Sequence, residues 1–388
     1  MNEKLEKVAV GRNNNIDFLR FSLASLVIFS HSFGLVYGVD DSEPIAVATG
    51  GQLNGGALAV DCFFILSGFL ITRSWLSSRS VGDYLSRRAL RIYPGFVGAI
   101  LFSGLIAAPL LAESSRAYWE AFSWRDFLLQ GANLQLAIPK LPISVNASLW
   151  TIRYEFVCYL AVIGFAVCGA FRHRSLLLLA LLLCETLYAG RILLGWKVPG
   201  GSLGWLIGYT AHWPRFMSNF LAGAAFYCYR DRVVLSQRLV LAALAILLFF
   251  GVVATSPGLL PLLVPVLGGY VLFRAAYAPM GRVRHFARRG DFSYGIYLYA
   301  FPIQHLLVEA SGRRLHPVGL FVLAWGVTLG VAALSWRFVE APFLRLKRST
   351  SSREARAASR TPVLATLEKA SGASEREAAQ SLGRAEGV

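Results

Sequence analysis

The sequence predicts an all-α fold, a polytopic membrane helix bundle of about ten transmembrane helices with both termini in the cytoplasm. Hydrophobic residues make up 55% of the 388 residues and charged residues only 15%, whereas soluble domains carry about 25% charged residues. Mostly apolar runs of about 20 residues, the length that crosses a bilayer as a helix, recur along the chain. The candidate spans are 16-37, 56-76, 94-112, 149-170, 175-195, 203-229, 238-256, 259-278, 292-310 and 316-336.

The basic residues between the spans predict their orientation, because cytoplasmic connections hold an excess of Lys and Arg. The first connection, 38-55, carries acidic residues and no Lys or Arg, whereas the second carries Arg73, Arg79 and Arg87. This alternation continues along the chain and places both termini inside. The net charge of +16 is then explained by topology and by contact with anionic lipid headgroups. Nucleic-acid binding is not indicated, because the basic residues are divided among separate short connections.

The composition divides the chain into three parts. We expect a cytoplasmic N-terminal segment at 1-15, a membrane domain at 16-347 and a polar, disordered cytoplasmic tail at 348-388, which is rich in Ser, Ala, Arg and Glu. No cleavable signal peptide is expected, because the first apolar run is long and is interrupted by charged residues. The five Cys fall within the predicted spans without CxxC spacing, so they predict neither a disulfide framework nor a metal site.

Two ionisable residues on one face of the first span are the strongest functional signal. Arg20 and His31 are eleven residues apart, which brings them to nearly the same side of a helix, roughly 16 Å apart along its axis. Ionisable groups within a bilayer usually face a protein interior or a water-filled path and mark a functional site. The alternative is structural: an Arg that reaches the interface and a His that is satisfied by a neighbouring carbonyl group.

Counting along the predicted spans brings His31, Asp61 and Glu155 to one level in the outer half of the membrane. A carboxylate that accepts a hydrogen bond from one imidazole nitrogen raises the basicity of the other, as a general base acting on a hydroxyl requires. We expect Asp61, ahead of Glu155, to be that carboxylate. The alternative is that either carboxylate pairs with a buried cation such as Arg153 and holds helices together.

On the cytoplasmic side the sequence predicts an arginine cluster made of Arg20, Arg73, Arg88 and Arg91. Arg88 and Arg91 are one helical turn apart and can face one ligand. Guanidinium groups bind phosphate oxygens through two hydrogen bonds, so the cluster suits a phosphate-bearing co-substrate. Positive-inside topology alone also places arginines there. Between the two levels, the small residues of LSGFLI (66-71) either allow close helix packing or leave room for a narrow slot.

The motifs that carry these residues resemble those of acyltransferase family 3, integral membrane proteins that acylate surface polysaccharides, lipopolysaccharide O-antigens, periplasmic glucans and some small molecules. The resemblance covers about 16-347. The segments that carry it are IDFLRF leading to His31 with the family's R-x10-H spacing, VDCFFILSGFLI, RRALRIYP with the R-x-x-R pair, SLWTIRYEF, FSYGIYLYAFP and SWRFVEAPF. Each segment is short, but all six occur in the family's order on the predicted spans.

The resemblance implies an O-acyltransferase that takes an acyl group, expected to be acetyl, from cytoplasmic acyl-CoA. The acceptor would be a hydroxyl of a cell-surface polysaccharide, an O-antigen or a related glycan. The resemblance also implies that His31 is the catalytic residue and that Arg20, Arg88 and Arg91 bind the donor. It further implies a stand-alone integral protein of the bacterial inner membrane, whose partners are the lipid bilayer and a glycan or glycolipid and which needs no metal.

Two positions depart from the family pattern. The ninth-span motif commonly reads YLxHxP, whereas here it is YLYAFP with Ala300 in place of the His, and His305 follows more than a turn later. The last motif commonly reads ERP, whereas here it is Glu340-Ala341-Pro342. The sequence therefore leaves open what a ninth-span His and Glu340 contribute.

The expected mechanism has His31, oriented by Asp61, deprotonate the acceptor hydroxyl for direct attack on the thioester, or become acylated first. The candidate oxyanion donors or acceptor contacts are Ser67, Trp150 and Tyr154. A transporter or flippase for an anionic or lipid-linked substrate is the alternative function, because the same His, Asp and Glu could relay protons. The chain shows no internal repeat in support of a transporter. The acceptor, the acyl length and the oligomeric state are left open.

Overall fold

A computed structural model describes the chain over residues 3–9, 14–134, 145–197, 204–254, 258–281, 283, 286 and 290–345. The polar tail expected at 348-388 lies outside these residues, as does part of the N-terminal segment expected at 1-15.

Apolar helices follow the order of the predicted spans. They are α1 (Ile16–Tyr37), α2 (Gly55–Leu76), α3 (Val81–Leu111), α4 (Trp150–Val167), α5 (Ser175–Leu193), α6 (Trp213–Cys228), α7 (Gln237–Val253), α8 (Leu259–Ala276), α9 (Ser293–Ala310) and α10 (Pro317–Arg345). Within the part of the chain that is described, seven helices are long and apolar enough to cross a membrane, which confirms an all-α membrane bundle. The number of spans and the cytoplasmic location of both termini stay predictions.

The connections contain short helical turns and one small strand pair. The turns are Leu5–Val8, Asp40–Ser42, Pro44–Ala48, Ser115–Ala121, Trp124–Ala132, Gly204–Ile207 and Thr210–His212. Strand β1 (Glu3–Lys4) pairs antiparallel with β2 (Val234–Leu235). The side-chain amide of Asn15 donates to the carbonyl oxygens of Ala275 and Ala278, both at 2.9 Å. The described part of the N-terminal segment is therefore packed onto the bundle.

Helix α3 begins thirteen residues before the span predicted at 94-112. The side chain of Ser80 caps its N-terminus, and Pro94 lies inside the helix. The first turns of α3 contain arginines beside apolar residues, so a search for apolar runs does not detect these turns. Consequently Arg88 and Arg91 lie on a continuous helix rather than in a loop.

The span predicted at 203-229 is broken in the structure. The helical turn Gly204–Ile207 is followed by Gly208 with a φ of +85°, and the continuous helix α6 begins later, with Pro214 in its first turn. A left-handed backbone favours glycine, and proline suits the first turn of a helix because its missing N–H would have no partner there. A Cβ at Gly208 would meet the ring of Tyr154, so the break also allows α4 to pack closely.

Helices α2 and α6 pack against each other along their length. At their crossing, a Cβ at Gly68 would overlap a backbone carbonyl oxygen of α6, and a Cβ at Gly223 would overlap one of α2. Small residues let helices touch backbone to backbone within a membrane bundle. The sequence left open whether the small residues of LSGFLI (66-71) allow close helix packing or leave room for a slot. In the structure, Gly68 allows the close packing and the neighbouring Ser67 lines a cavity.

Helix α9 is enclosed by its neighbours. Its residues from Ser293 to His305 are buried, and it packs against α1 and α10. The amide nitrogen of Gln304 donates to the carbonyl oxygen of Ile28 and to the hydroxyl of Ser32, each at 2.8 Å. These bonds fix α9 to the middle of α1, the helix that carries the first pair of predicted site residues.

We expect Gly223→Ala to destabilise the protein, because the added methyl group meets backbone atoms of α2 that cannot rotate away. Overpacking of this kind costs about 1–3 kcal/mol. The measurement is the melting temperature of the detergent-solubilised protein. The matched control is Gly164→Ala, an exposed helical position where a Cβ meets nothing within 4 Å and where Ala is the better helix former. Equal melting temperatures for the two variants would contradict the close crossing.

Candidate active site

Two cavities lie between the helices that carry the predicted site residues. The arginine cavity, with a volume of about 120 Å³, lies among α1, α2, α3, α4 and α9. Its lining is Arg20, Val60, Phe63, Phe64, Leu66, Ser67, Leu70, Ile71, Arg88, Arg91, Thr151, Ile152, Glu155, Tyr159, Ser293, Tyr294 and Tyr297. The histidine cavity, with a volume of about 170 Å³, lies among α1, α2, α4, α6 and α9. Its lining is Val27, Ser30, His31, Asn54, Gly56, Ala57, Val60, Ser148, Trp150, Arg215, Phe216 and Tyr297.

The two cavities share part of their walls. Val60 of α2 and Tyr297 of α9 line both of them. The hydroxyl groups of Tyr297 and Thr151 are hydrogen-bonded at 2.5 Å, and Thr151 belongs to the lining of the arginine cavity. A side-chain partition therefore separates a cavity rich in guanidinium groups from a cavity that contains an imidazole.

An acidic residue that the sequence analysis missed organises the arginine cavity. Asp291, two residues before the start of α9, accepts a hydrogen bond from Nη1 of Arg20 at 2.9 Å and a closer one from Nη2 of Arg91. The hydroxyl and the backbone N–H of Ser293 also donate to it. Although burial raises the pKa of Asp291, the Arg20 and Arg91 guanidinium groups hold that pKa well below its usual range. Arg20 and Arg91 are thus brought together as predicted, with a shared counter-ion.

The other two predicted donor residues differ from each other. Arg88 lines the cavity, donates from Nη2 to the hydroxyl of Ser74 at 3.3 Å and lies over the ring of Tyr159. Its Nε is buried without a hydrogen-bond partner among the described residues. Arg73 lies in the last turn of α2 and is not part of the described lining of the cavity. The structure therefore groups three of the four predicted arginines.

Glu155 lies with the arginines rather than with His31. It lines the arginine cavity, where its carboxylate accepts hydrogen bonds from the hydroxyls of Tyr159 at 2.5 Å and Ser67 at 3.4 Å. The predicted level of His31, Asp61 and Glu155 is therefore not kept, since Glu155 lines the arginine cavity, His31 lines the histidine cavity and Asp61 belongs to the described lining of neither.

Asp61 does not orient His31, which corrects the expected hydrogen bond. Its fully buried carboxylate accepts hydrogen bonds from Nε of Arg215 at 2.9 Å and from Nη2 at 2.8 Å, and from the amide of Asn219 at 2.9 Å. A fully buried carboxylate needs a paired cation, which a neutral imidazole does not supply. The alternative reading, a carboxylate paired with a buried cation, is the one that the structure shows. Its partner is Arg215, however, and not Arg153.

The imidazole of His31 is held by ring packing. It makes no hydrogen bond to any described residue, and it meets the ring of Phe301 edge-on at 5.1 Å between centroids. The same phenyl ring packs against His305 at 5.0 Å. Ala300, which stands in place of the family His, is buried one residue before this ring. His31 thus keeps its ring nitrogens available to a molecule in the cavity.

The candidate oxyanion donors are dispersed. Ser67 faces the arginine cavity, and the hydroxyl of Tyr154 donates to the backbone carbonyl of Tyr209 at 3.0 Å. Trp150 lines the histidine cavity. Arg215, which the sequence analysis did not single out, lines it as well; a cation in the middle of the apolar run 203-229 was the signal for it.

Glu340 of the last motif lies beside the arginine cluster. It is buried, accepts a hydrogen bond from the hydroxyl of Ser335 at 3.3 Å and lies 3.9 Å from Nη1 of Arg91. Arg337, one turn earlier, packs over the ring of Phe338 instead. Over the described residues, no three His, Cys, Asp or Glu side chains form a group that could hold a metal ion.

We expect Asp291→Asn to lower the stability of the protein by roughly 3–5 kcal/mol, because it leaves two largely buried guanidinium groups without their counter-ion. The pKa of Asp291 lies below its ordinary value of 3.8, so its contribution is complete above that pH and is lost only as the pH falls further. The unmodified protein should therefore melt at a higher temperature than the variant at every pH between about 5 and 8.

The control for this prediction is Asp231→Asn. Asp231 pairs with Arg174 at 2.6 Å, but both side chains are more than a third exposed, and such pairs contribute little. A similar shift in both variants, or an Asp291→Asn variant that melts with the unmodified protein at any pH between about 5 and 8, would contradict the role given to Asp291.

Comparison with known proteins identifies the family. A family model described as an acyltransferase domain matches residues 13–337. The chain is 25% identical over 342 residues to the O-acetyl transferase of Shigella phage Sf6, which covers 86% of this chain and 96% of that protein. It is 26% identical over 368 residues to Nodulation protein 10 of Rhizobium leguminosarum bv. viciae, with 88% and 96% covered.

A shorter match, 32% identical over 109 residues and 27% of each chain, relates it to acyltransferase MdmB of Streptomyces mycarofaciens. No solved structure matches the chain. Because the family model spans most of the membrane bundle and includes both cavities, this chain belongs to acyltransferase family 3 and is a membrane acyltransferase.

Proposed function

We propose that this protein is an O-acyltransferase that moves an acetyl group from cytoplasmic acyl-CoA to a hydroxyl of a glycan or glycolipid acceptor. The observation that carries the proposal is the shared wall of the two cavities at Val60 and Tyr297. A donor that enters on the arginine side and an acceptor that enters on the histidine side would meet there. The relative named O-acetyl transferase supports acetyl as the acyl group.

The arginine cavity suits the donor. The orientation predicted from the loop charges puts it at the cytoplasmic side, where acyl-CoA is available. Its volume of about 120 Å³ is below the range of roughly 300–1,000 Å³ that encloses whole ligands, so it would take the narrow pantetheine arm while the phosphates bind at its mouth. Arg88 is suited to a phosphate, because its buried Nε has no partner among the described residues.

The histidine cavity suits the acceptor. His31 would take the proton of the acceptor hydroxyl as the hydroxyl oxygen attacks the thioester carbonyl carbon. The carbon–sulfur bond then breaks, and the proton passes from His31 to the sulfur, so that the ester and free coenzyme A are formed. A route through acylated His31 uses the same groups in two steps. Trp150, half exposed at this cavity, would stack on a sugar ring.

The proposed location is the inner membrane of a bacterium. Exposed apolar side chains cover the outer surfaces of α5, α7 and α10, as expected for helices that face lipid. Acceptors at the outer surface of that membrane would reach the histidine cavity without crossing the bilayer.

We expect His31→Ala to reduce acetyl transfer by about 10²- to 10⁴-fold, the contribution typical of a general base. The measurement is transfer of labelled acetyl from acetyl-CoA to envelope glycan in cells that express each variant at matched levels. The control is His173→Ala, an exposed histidine outside both cavities. Equal labelling in both variants would exclude His31 as the base, and substrate flux without any labelling would favour a transporter.

We expect Arg88→Gln to raise the KM for acetyl-CoA by about 10- to 100-fold. A hydrogen bond between charged groups contributes about 1.5–3 kcal/mol, and each 1.4 kcal/mol is about a factor of ten. The control is Arg87→Gln, because Arg87 is already paired with Asp83 in the same helix. Binding of coenzyme A to the solubilised protein provides a second measurement. An unchanged KM would remove Arg88 from the donor site.

A further inference from the structure

A fixed cation lines the cavity in which the acyl group would react. Arg215, in the first turn of α6, is part of the described lining of the histidine cavity together with His31. Its side chain is only 20% exposed. Water does not stabilise a guanidinium group that is buried to this extent. Ionisable groups in a membrane bundle therefore have a charged partner or a function.

The carboxylate of Asp61 fixes the orientation of this guanidinium. Nε and Nη2 of Arg215 donate to the two oxygens of Asp61 at 2.9 and 2.8 Å, the bidentate geometry that defines the plane of the group. Nη2 also donates to the carbonyl oxygen of Ala57 at 3.1 Å. These bonds leave Nη1 without a hydrogen-bond partner among the described residues.

The surroundings of Asp61 keep the cation effective. Its carboxylate is fully buried and also accepts a hydrogen bond from the amide of Asn219, so its oxygens are turned to the protein and not to the cavity. The close crossing of α2 and α6 at Gly68 and Gly223 fixes the relative depth of Asp61 and Arg215, two turns away on each helix. Arg215 is therefore placed before any substrate binds, as electrostatic stabilisation of a transition state requires.

Acyl transfer needs such a donor. When the acceptor oxygen attacks a thioester, the carbonyl oxygen gains negative charge before the carbon–sulfur bond breaks. The hydroxyl of Ser67 already donates its hydrogen bond to Glu155, and the hydroxyl of Tyr154 donates to the backbone carbonyl of Tyr209. Trp150 lines the cavity, but its indole N–H carries no net charge.

We propose that Arg215 is a catalytic residue whose Nη1 group donates to the carbonyl oxygen of the acyl group during transfer. Asp61 is then a positioning residue that holds Arg215, and not His31, in place. This inference rests on the proposed acyl transfer and adds the group that stabilises its oxyanion.

The test is Arg215→Lys. A lysine keeps a cation beside buried Asp61, so the fold is retained, but its single ammonium pairs with Asp61 and has no second arm for the carbonyl oxygen. Loss of one oxyanion donor lowers kcat by about 10²- to 10³-fold. We expect this loss at unchanged KM for acetyl-CoA and with an unchanged pH profile, measured on the glycan fraction that becomes labelled in the transfer experiment.

The control is Arg153→Lys. Arg153 is a buried arginine on α4 that donates to the backbone carbonyls of Asn133 and Gly204 and is absent from the described lining of both cavities. This variant should keep the kcat of the unmodified protein. If Arg215→Lys does not fold, the double variant Asp61→Asn with Arg215→Gln removes both charges together and should show the same loss of kcat.

Three results would overturn the inference. A kcat for Arg215→Lys equal to that of the unmodified protein would show that the group does not meet the reacting carbonyl. A raised KM for the glycan at unchanged kcat would make Arg215 an acceptor-binding residue. A shifted pH profile would mean that it acts through His31. Failure of the proposed function is distinguishable, because the unmodified protein would then transfer no acetyl.

Discussion

The arrangement of this protein depends on the pairing of charges inside an apolar bundle. Asp61 and Arg215 join α2 to α6, and Asp291 joins α1 to α3 through Arg20 and Arg91. Each group connects segments that are distant in sequence, and each borders a cavity. The interactions that hold the helices at a fixed depth are therefore the interactions that orient the polar groups of the site. A lone buried charge destabilises the whole bundle. The catalytic role of these residues is therefore better tested by substitutions that leave every buried charge with a partner than by truncations that remove one partner.

The sequence predicted the order of the helices well and their neighbours poorly. Apolar runs and helical periodicity describe position along one axis, which is enough to find the helices and to group Arg20, Arg88 and Arg91, although it placed Glu155 with His31 and not with the arginines. They do not state which helix lies beside which, so the partner of Asp61 could not be named. Arg215 could not be placed either, because the break at Gly208 makes its span look continuous and so gives the residue a wrong position along the helix. Asp291 lies in a connection, where depth counting gives no information.

The two departures from the family motifs have different consequences. At Ala300 an apolar side chain is buried in α9, and the adjacent Phe301 ring carries the contacts with His31 and His305. Aromatic packing thus contributes to the position of the His31 imidazole. At the last motif, Glu340 lies near Arg91 of α3. The carboxylate therefore extends the charge network at the arginine cavity and does not depend on the residue that follows it in the chain.

The hydrogen bond between Tyr297 and Thr151 bears on the proton gradient across the membrane. With the orientation predicted from the loop charges, the arginine cavity would lie toward the cytoplasm and the histidine cavity toward the outside, with this pair of hydroxyl groups between them. A continuous file of water along that path would conduct protons and dissipate the electrochemical gradient across the membrane. The narrow contact therefore acts as electrical insulation. In the proposed reaction, a thioester group on one side would thus come within reach of an acceptor on the other while the membrane stays sealed to ions.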